Sequence, residues 1–130
     1  MGVAEFEGDG PDSPNRLRFR QLRADPPAFH LALAIAAERK SSLSAMLRRS
    51  RGSERDAGAR QLAMYLAHVT LGRPQDSVAG LFRRDRTTVA HACQKMEDLR
   101  DEPRFEAEIS RIEARCAQIA RRQPERYHVR

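Results

Sequence analysis

A cationic turn that leads directly into an amphipathic helix is the part of this sequence best suited to chemistry. It holds one acidic residue, Asp85, among three arginines, Arg83, Arg84 and Arg86. The Asp85 carboxylate can cap a helix by accepting backbone N–H groups of the first turn. From that start, helical spacing predicts a buried face made of Val89, Ala92, Cys93, Met96 and Leu99.

The opposite face of this predicted helix can form hydrogen bonds and carries no carboxylate. It consists of Thr87, Thr88, His91 and Lys95. Polar side chains beside a cationic N-terminal end suit a helix that enters the DNA major groove N-terminus first. A solvated helix with a capped start is the simpler alternative, because polar outer faces are common.

The segments before this helix favour DNA binding. Gln75 to Phe82 predicts a short helix, so that two helices and their turn form a helix-turn-helix. A longer helix is predicted from Ala57 to Thr70, with Arg60 and Gln61 at its exposed N-terminal end, where a DNA phosphate can bind. It follows a polar loop with four arginines: Arg48, Arg49, Arg51 and Arg55.

Composition and charge limit the classes of protein. At 130 residues, the chain is long enough for one domain with tails. It has no Trp and 5% aromatic residues, which favours an all-α, compact helical domain with an aliphatic core. The net charge of +6 favours a polyanionic partner. No apolar run is long enough for a membrane span, so we expect a cytoplasmic, nucleoid-associated protein.

Neither catalysis nor metal binding is predicted. The four histidines lie outside any metal-ligand or catalytic-triad motif. The two cysteines, Cys93 and Cys116, fall on apolar helix faces and have no ligand spacing. We therefore expect reduced core thiols, no metal, no cofactor and no enzymatic activity.

The chain divides into four segments. Residues 1–25 predict a disordered acidic arm and a basic linker, whose alternating arginines and apolar residues fit a short strand or an extended arm. Residues 26–101 form the predicted DNA-binding domain, and 102–122 an added C-terminal amphipathic helix. This helix, over 104–122, either packs on its own domain or is a surface for self-association or for a transcription or DNA-bending factor. A basic tail, 123–130, follows.

Three segments of the chain also resemble a known family. They are RQLAMYLA from Arg60, SVAGLF from Ser77 and DRTTVAHACQKM from Asp85. Together they resemble the C-terminal DNA-binding domain of the bacterial replication initiator DnaA, over residues 29–101. The resemblance implies double-stranded DNA as the partner.

The resemblance also implies roles for individual residues. Base contacts in the major groove would come from Asp85, Arg86, Thr87, Thr88 and His91. Phosphate contacts would come from Arg60 and Gln61, and a minor-groove contact from the basic loop with Arg48, Arg49, Arg51 and Arg55. From their charge and position, we add three phosphate contacts: Arg83, Arg84 and Lys95.

The sequence departs from the family in two features: the turn differs, and a nucleotide-binding phosphate loop is absent. The turn between Phe82 and Asp85 is one residue shorter than the commonest family form, with arginines in place of its glycines, and Arg86 replaces the family histidine. We therefore expect duplex binding at a site other than the usual initiator box. The chain also has no G-x-x-x-x-G-K-[ST] phosphate loop, so we expect no ATP hydrolysis.

These observations predict a sequence-specific double-stranded DNA-binding protein that regulates transcription, as an activator. Stand-alone proteins similar to this domain include the activators of gene-transfer-agent clusters. The alternatives are a replication regulator that binds origin boxes and a protein-interaction adaptor that has lost DNA binding.

Overall fold

The computed structural model describes residues 14–122, and within this range all regular secondary structure is helical. The all-α fold predicted from composition is therefore confirmed. The predicted acidic arm and basic tail lie outside the described residues. The helices are α1 (Pro14–Arg23), α2 (Pro26–Arg39), α3 (Leu43–Met46), α4 (Glu54–Val69), α5 (Gln75–Phe82), α6 (Arg86–Glu97) and α7 (Pro103–Arg122).

Helix α2 lies at the centre of the domain, where it contacts α1, α3, α4 and α7. Its start is fixed by Asp25, whose Oδ1 accepts a hydrogen bond from the backbone N–H of Ala28 at 3.4 Å. Pro26 and Pro27 fit the first turn because the N–H groups there have no partner within the helix. Half of the 14 residues of α2 are buried: Ala28, His30, Leu31, Ala32, Ala34, Ile35 and Ala36.

Helix α1 corrects the prediction of a basic linker that is extended or a strand. Residues 14–23 are helical, and Phe19 and Leu22 are completely buried. Alternating arginines suggested a period of two, but these two apolar residues, three apart, share a helical face. That face packs against α2 and α5.

Two serine caps set the start of α3 and α4. Ser42 Oγ accepts the N–H of Ala45, and Ser53 Oγ accepts the N–H of Asp56, both at 3.1 Å. Helix α4 consequently begins at Glu54, three residues earlier than predicted. It ends before Gly72, whose φ of 74° lies in the left-handed region that favours glycine.

Helix α7 packs along α2 in the most extensive helix–helix contact of the described residues. Its apolar stripe enters the core at Phe105, Ile109 and Ile112. Charged side chains close the edge of this contact: Arg39 donates two hydrogen bonds to Glu108, at 2.7 and 2.8 Å. Of the two roles considered for this helix, the structure therefore favours packing on its own domain.

Candidate nucleic-acid interface

Helices α5 and α6 form the predicted helix-turn-helix, joined by Arg83, Arg84 and Asp85. The turn is tight because the backbone N–H groups of Arg83 and Arg84 both donate to the carbonyl of Ala79. Helix α4 contacts both helices of the motif. The turn and the start of α6 are thus held against a packed core.

Arg83 occupies the position at which a glycine is usual in such a turn. Its φ of 56° and ψ of 49° lie in the left-handed region. An L-residue other than glycine adopts this conformation at a cost of about 1–2 kcal/mol. The Arg83 side chain is exposed, so the turn displays a cation where a glycine would be less strained.

The inner face of α6 is the one that its spacing predicted. Val89, Ala92, Cys93 and Met96 are buried, and Leu99, beyond the helix end, packs against the core. Burial raises the pKa of the Cys93 thiol, which keeps it protonated at neutral pH. Both cysteines are free thiols; Cys93 is buried, as predicted, whereas Cys116 is half-buried.

Asp85 stands at the N-cap position of α6, but its side chain makes no capping hydrogen bond. The predicted carboxylate cap is therefore wrong. The backbone has the geometry of an N-cap, with φ of −73° and ψ of 157°, and its carbonyl accepts the N–H of Val89 at 3.2 Å. The carboxylate is exposed to solvent at the start of the helix instead.

The outer face of α6 brings together the residues predicted to read bases. Arg86, Thr87 and His91 are exposed, and Thr88 is half-buried. Lys95 lies at the far end of this face, where its Nζ donates to Gln61 Oε1 at 3.2 Å. Gln61 is therefore placed beside α6, on a flank of the candidate interface.

The basic loop lies directly beside the helix-turn-helix. Arg84 Nη2 donates to the backbone carbonyl of Arg48 at 2.6 Å, which ties the loop to the turn. The loop arginines Arg48, Arg49 and Arg51 are exposed. Arg84 itself is half-buried, so its main effect is to hold this loop rather than to project into solvent.

Two neighbouring arginines at the loop's end are already engaged. Arg51 forms an exposed ion pair with Glu54, at 3.1 Å. Arg55 was predicted in the loop but lies in the first turn of α4, where its guanidinium donates to the carbonyl of Lys40 at 3.3 Å. Both side chains are exposed, and these surface contacts are weak enough to exchange for a phosphate.

Arg60 and Gln61 do not lie at an exposed helix end, so that prediction is wrong for both. Because α4 begins at Glu54, six residues before Arg60, Arg60 lies in the body of the helix and is only 5% exposed. Its guanidinium donates to the carbonyls of Met46 at 3.0 Å and Arg51 at 3.3 Å. Burial, followed by the charges of Arg84 and Arg51, lowers the pKa of Arg60 to about 10. Arg60 therefore stays cationic at neutral pH and anchors the basic loop from inside.

A tyrosine-centred network, which sequence reasoning missed, fixes the far end of α6. Tyr65 Oη donates to Glu97 Oε2 at 2.5 Å and accepts from Arg100 Nη1 at 3.0 Å. Arg100 also pairs with Glu106 on α7. Burial and the hydrogen bond to Glu97 raise the pKa of Tyr65, which keeps the hydroxyl protonated as a donor. The network joins α4, α6 and α7, whose pairing no local periodicity could reveal.

Asp76 is a second residue that sequence reasoning missed. It lies in the first turn of α5, and its Oδ1 is 3.2 Å from Nε of Arg86 on the candidate interface. The contact crosses between two helices, so neither the α5 nor the α6 pattern indicates it.

A tight turn, a recognition helix with a polar exposed face and an adjoining basic loop define a helix-turn-helix DNA-binding protein. The family model described as bacterial dnaA protein helix-turn-helix matches residues 32–96, which is half of the chain. The chain therefore belongs to this family, as its motifs predicted. A search of curated proteins found no match.

Membership of this family supports DNA binding by the chain. Helix-turn-helix domains of this family are typically non-enzymatic. Among the helices within residues 14–122, none combines the length and the apolar character needed to cross a bilayer.

Proposed function

We propose that this chain is a sequence-specific double-stranded DNA-binding protein that regulates transcription, as an activator and without ATP hydrolysis. One observation carries the proposal. The exposed face of α6, with Arg86, Thr87 and His91 at its N-terminal part, adjoins a turn and a loop that both carry cations. That combination fits a helix whose first turns meet base edges while the flanking segments meet phosphates.

The base contacts follow from the chemistry of each side chain. Arg86 is the first residue of α6 and suits the paired N7 and O6 acceptors of guanine. Thr87 and His91 are four residues apart, so they share the outermost line of the helix. Thr88 is half-buried and closer to the domain, where its methyl group suits a thymine methyl. Asp85, exposed at the turn, suits the amino group of cytosine.

The phosphate contacts are proposed for the cations around this face. Arg83 at the turn and Arg48, Arg49, Arg51 and Arg55 at the loop and the start of α4 are exposed. Lys95 and Gln61 flank the other end of the face. Arg84 and Arg60 contribute charge and hold the loop in place from behind. Neutralising phosphates with such cations releases counterions and makes binding depend on salt.

The C-terminal helix bears on the choice of protein partner. The first part of its apolar stripe, Phe105, Ile109 and Ile112, is buried, and Cys116 and Ile119 are half-buried against the core, so little of the stripe is available for a second chain. We propose that contact of 104–122 with a transcription or DNA-bending factor, or with a second copy, uses the charged outer face of α7. Exposed charged residues of α7 include Arg104 and Arg121, together with Arg111 and Arg115, which form ion pairs with Glu38 on α2.

Genome-wide crosslinking and sequencing of bound DNA tests the regulatory role. We expect the bound DNA to be enriched in a few promoters, because a sequence-specific DNA-binding protein without ATPase activity can regulate transcription by occupying its sites. A matched strain that carries His91→Ala should lose these peaks while producing the same amount of protein. Enrichment at the replication origin would support the replication regulator instead. No enrichment at any locus would support the adaptor and contradict the proposal.

A further inference from the structure

The ion pair between Arg86 and Asp76 joins the first turns of the two helices of the motif. Nε of Arg86 lies 3.2 Å from Oδ1 of Asp76. The side chains of both residues are largely exposed, at 72% and 77%. A pair so exposed contributes little to stability. Its larger effect is on where the Arg86 side chain points.

The ion pair is formed at Nε of Arg86, so the terminal nitrogens of the guanidinium can still donate hydrogen bonds to a base. The Asp76 carboxylate lies within ion-pair distance of Nε, beside one edge of the planar guanidinium. The two terminal nitrogens, Nη1 and Nη2, then remain for a pair of acceptors, and guanine presents such a pair in the major groove. An arginine restrained in this way loses less rotational freedom when it binds a base, because part of its ordering is already complete.

We propose that Asp76 is a specificity-determining residue, which positions Arg86 to read a guanine in the bound duplex. The inference rests on the proposed function, since it presupposes that α6 lies in the major groove. It adds a residue of α5, outside the recognition helix, to the determinants of base choice.

The test is a double-mutant cycle with Asp76→Asn and Arg86→Ala, measured on duplexes. Selection from a random duplex library first identifies the guanine whose preference is lost in Arg86→Ala. Affinity is then compared between the selected duplex and one with adenine at that position. We expect Arg86→Ala to reduce this discrimination about 5- to 100-fold. Asp76→Asn should reduce it about two- to fivefold in the wild-type background and not at all in Arg86→Ala.

Two controls separate this role from simpler ones. Asp76 lies near the positive end of α5, so Asp76→Asn can also weaken that helix, and circular dichroism of each variant checks the fold. Glu113→Gln on the exposed face of α7 removes the same charge at a distance from the motif. It should leave discrimination at the guanine unchanged.

Three results would overturn the inference. If Asp76→Asn strengthened binding to all duplexes alike, Asp76 would act only by repelling DNA. If it had the same effect with and without Arg86, it would act through the stability of α5. If wild type preferred a site and Asp76→Asn left that preference intact, the inference would fail and the proposed function would stand. Wild-type binding without any sequence preference would instead contradict the proposed function itself.

Discussion

Ending the chain after Glu102, so that α7 is removed, is expected to abolish the cooperative thermal unfolding of the domain. Phe105, Ile109 and Ile112 are all at most 6% exposed. Burial of each such side chain contributes about 1.5–3 kcal/mol, so their loss removes roughly 5–9 kcal/mol. A domain of this size has a total stability of about 5–15 kcal/mol, and the truncation also exposes the face of α2 that α7 covers.

Circular dichroism during heating measures this outcome. A truncated chain that retained a sharp transition near that of the full chain would show that α7 is a dispensable addition. A point variant keeps the test informative if the truncated chain is degraded in cells. Ile112→Ala should lower stability by about 2–5 kcal/mol, because Ile112 is completely buried. Glu113→Gln, at the neighbouring exposed position, should lower it far less.

Replacing both Thr87 and His91 with alanine is expected to weaken binding to the preferred duplex by at least about fivefold, the smaller loss for one base contact, and by about 30-fold where two such losses add. Each base contact contributes roughly 1–3 kcal/mol to discrimination. The two residues are one turn apart, so their effects need not add fully. Both side chains are exposed, and alanine favours helix, so the double variant should remain as stable as wild type.

Titration of labelled duplex by fluorescence anisotropy measures this loss. Gln118→Ala is a suitable control, because Gln118 is exposed on α7 and lies outside the helix-turn-helix. We expect the control to bind the preferred duplex nearly as wild type does. An equal loss in the control and in the double variant would mean that the outer face of α6 is not the reading face.

The sequence predicted the elements whose signals are local. The inner face of α6 followed from apolar spacing, and the short α5 with its turn followed from Gly72, Pro74 and the spacing up to Phe82. These elements bury one face each, so their periodicity carries the information directly.

Three structural predictions from the sequence were wrong, each for a physical reason. The start of α4 was placed too late because the Ser53 cap was not recognised, and this error put Arg60 at an exposed end. Helix α1 was missed because its arginines alternate with apolar residues although only Phe19 and Leu22 determine the buried face. The cap at Asp85 has the expected backbone but not the expected side-chain bond.

Contacts between elements were beyond sequence reasoning. The pairs Arg86 with Asp76 and Arg84 with the Arg48 carbonyl join segments that are 10 and 36 residues apart. Each depends on how the helices are packed, which no single pattern in the chain encodes. The exposed residues of α6 could thus be predicted from the sequence, whereas the contacts made to them from other elements required the structure.

The most direct measurement of the central claim is a titration of the wild-type protein with two duplexes at several salt concentrations. One duplex carries the motif selected from a random library, and the other is a scrambled sequence of the same length and composition. We predict that the selected duplex binds at least about a thousandfold more tightly at physiological salt. We also predict that both affinities fall as salt rises, since exposed arginines contact phosphates in either complex. Equal affinity for the two duplexes, or no binding to either, would contradict the claim that this chain reads DNA sequence.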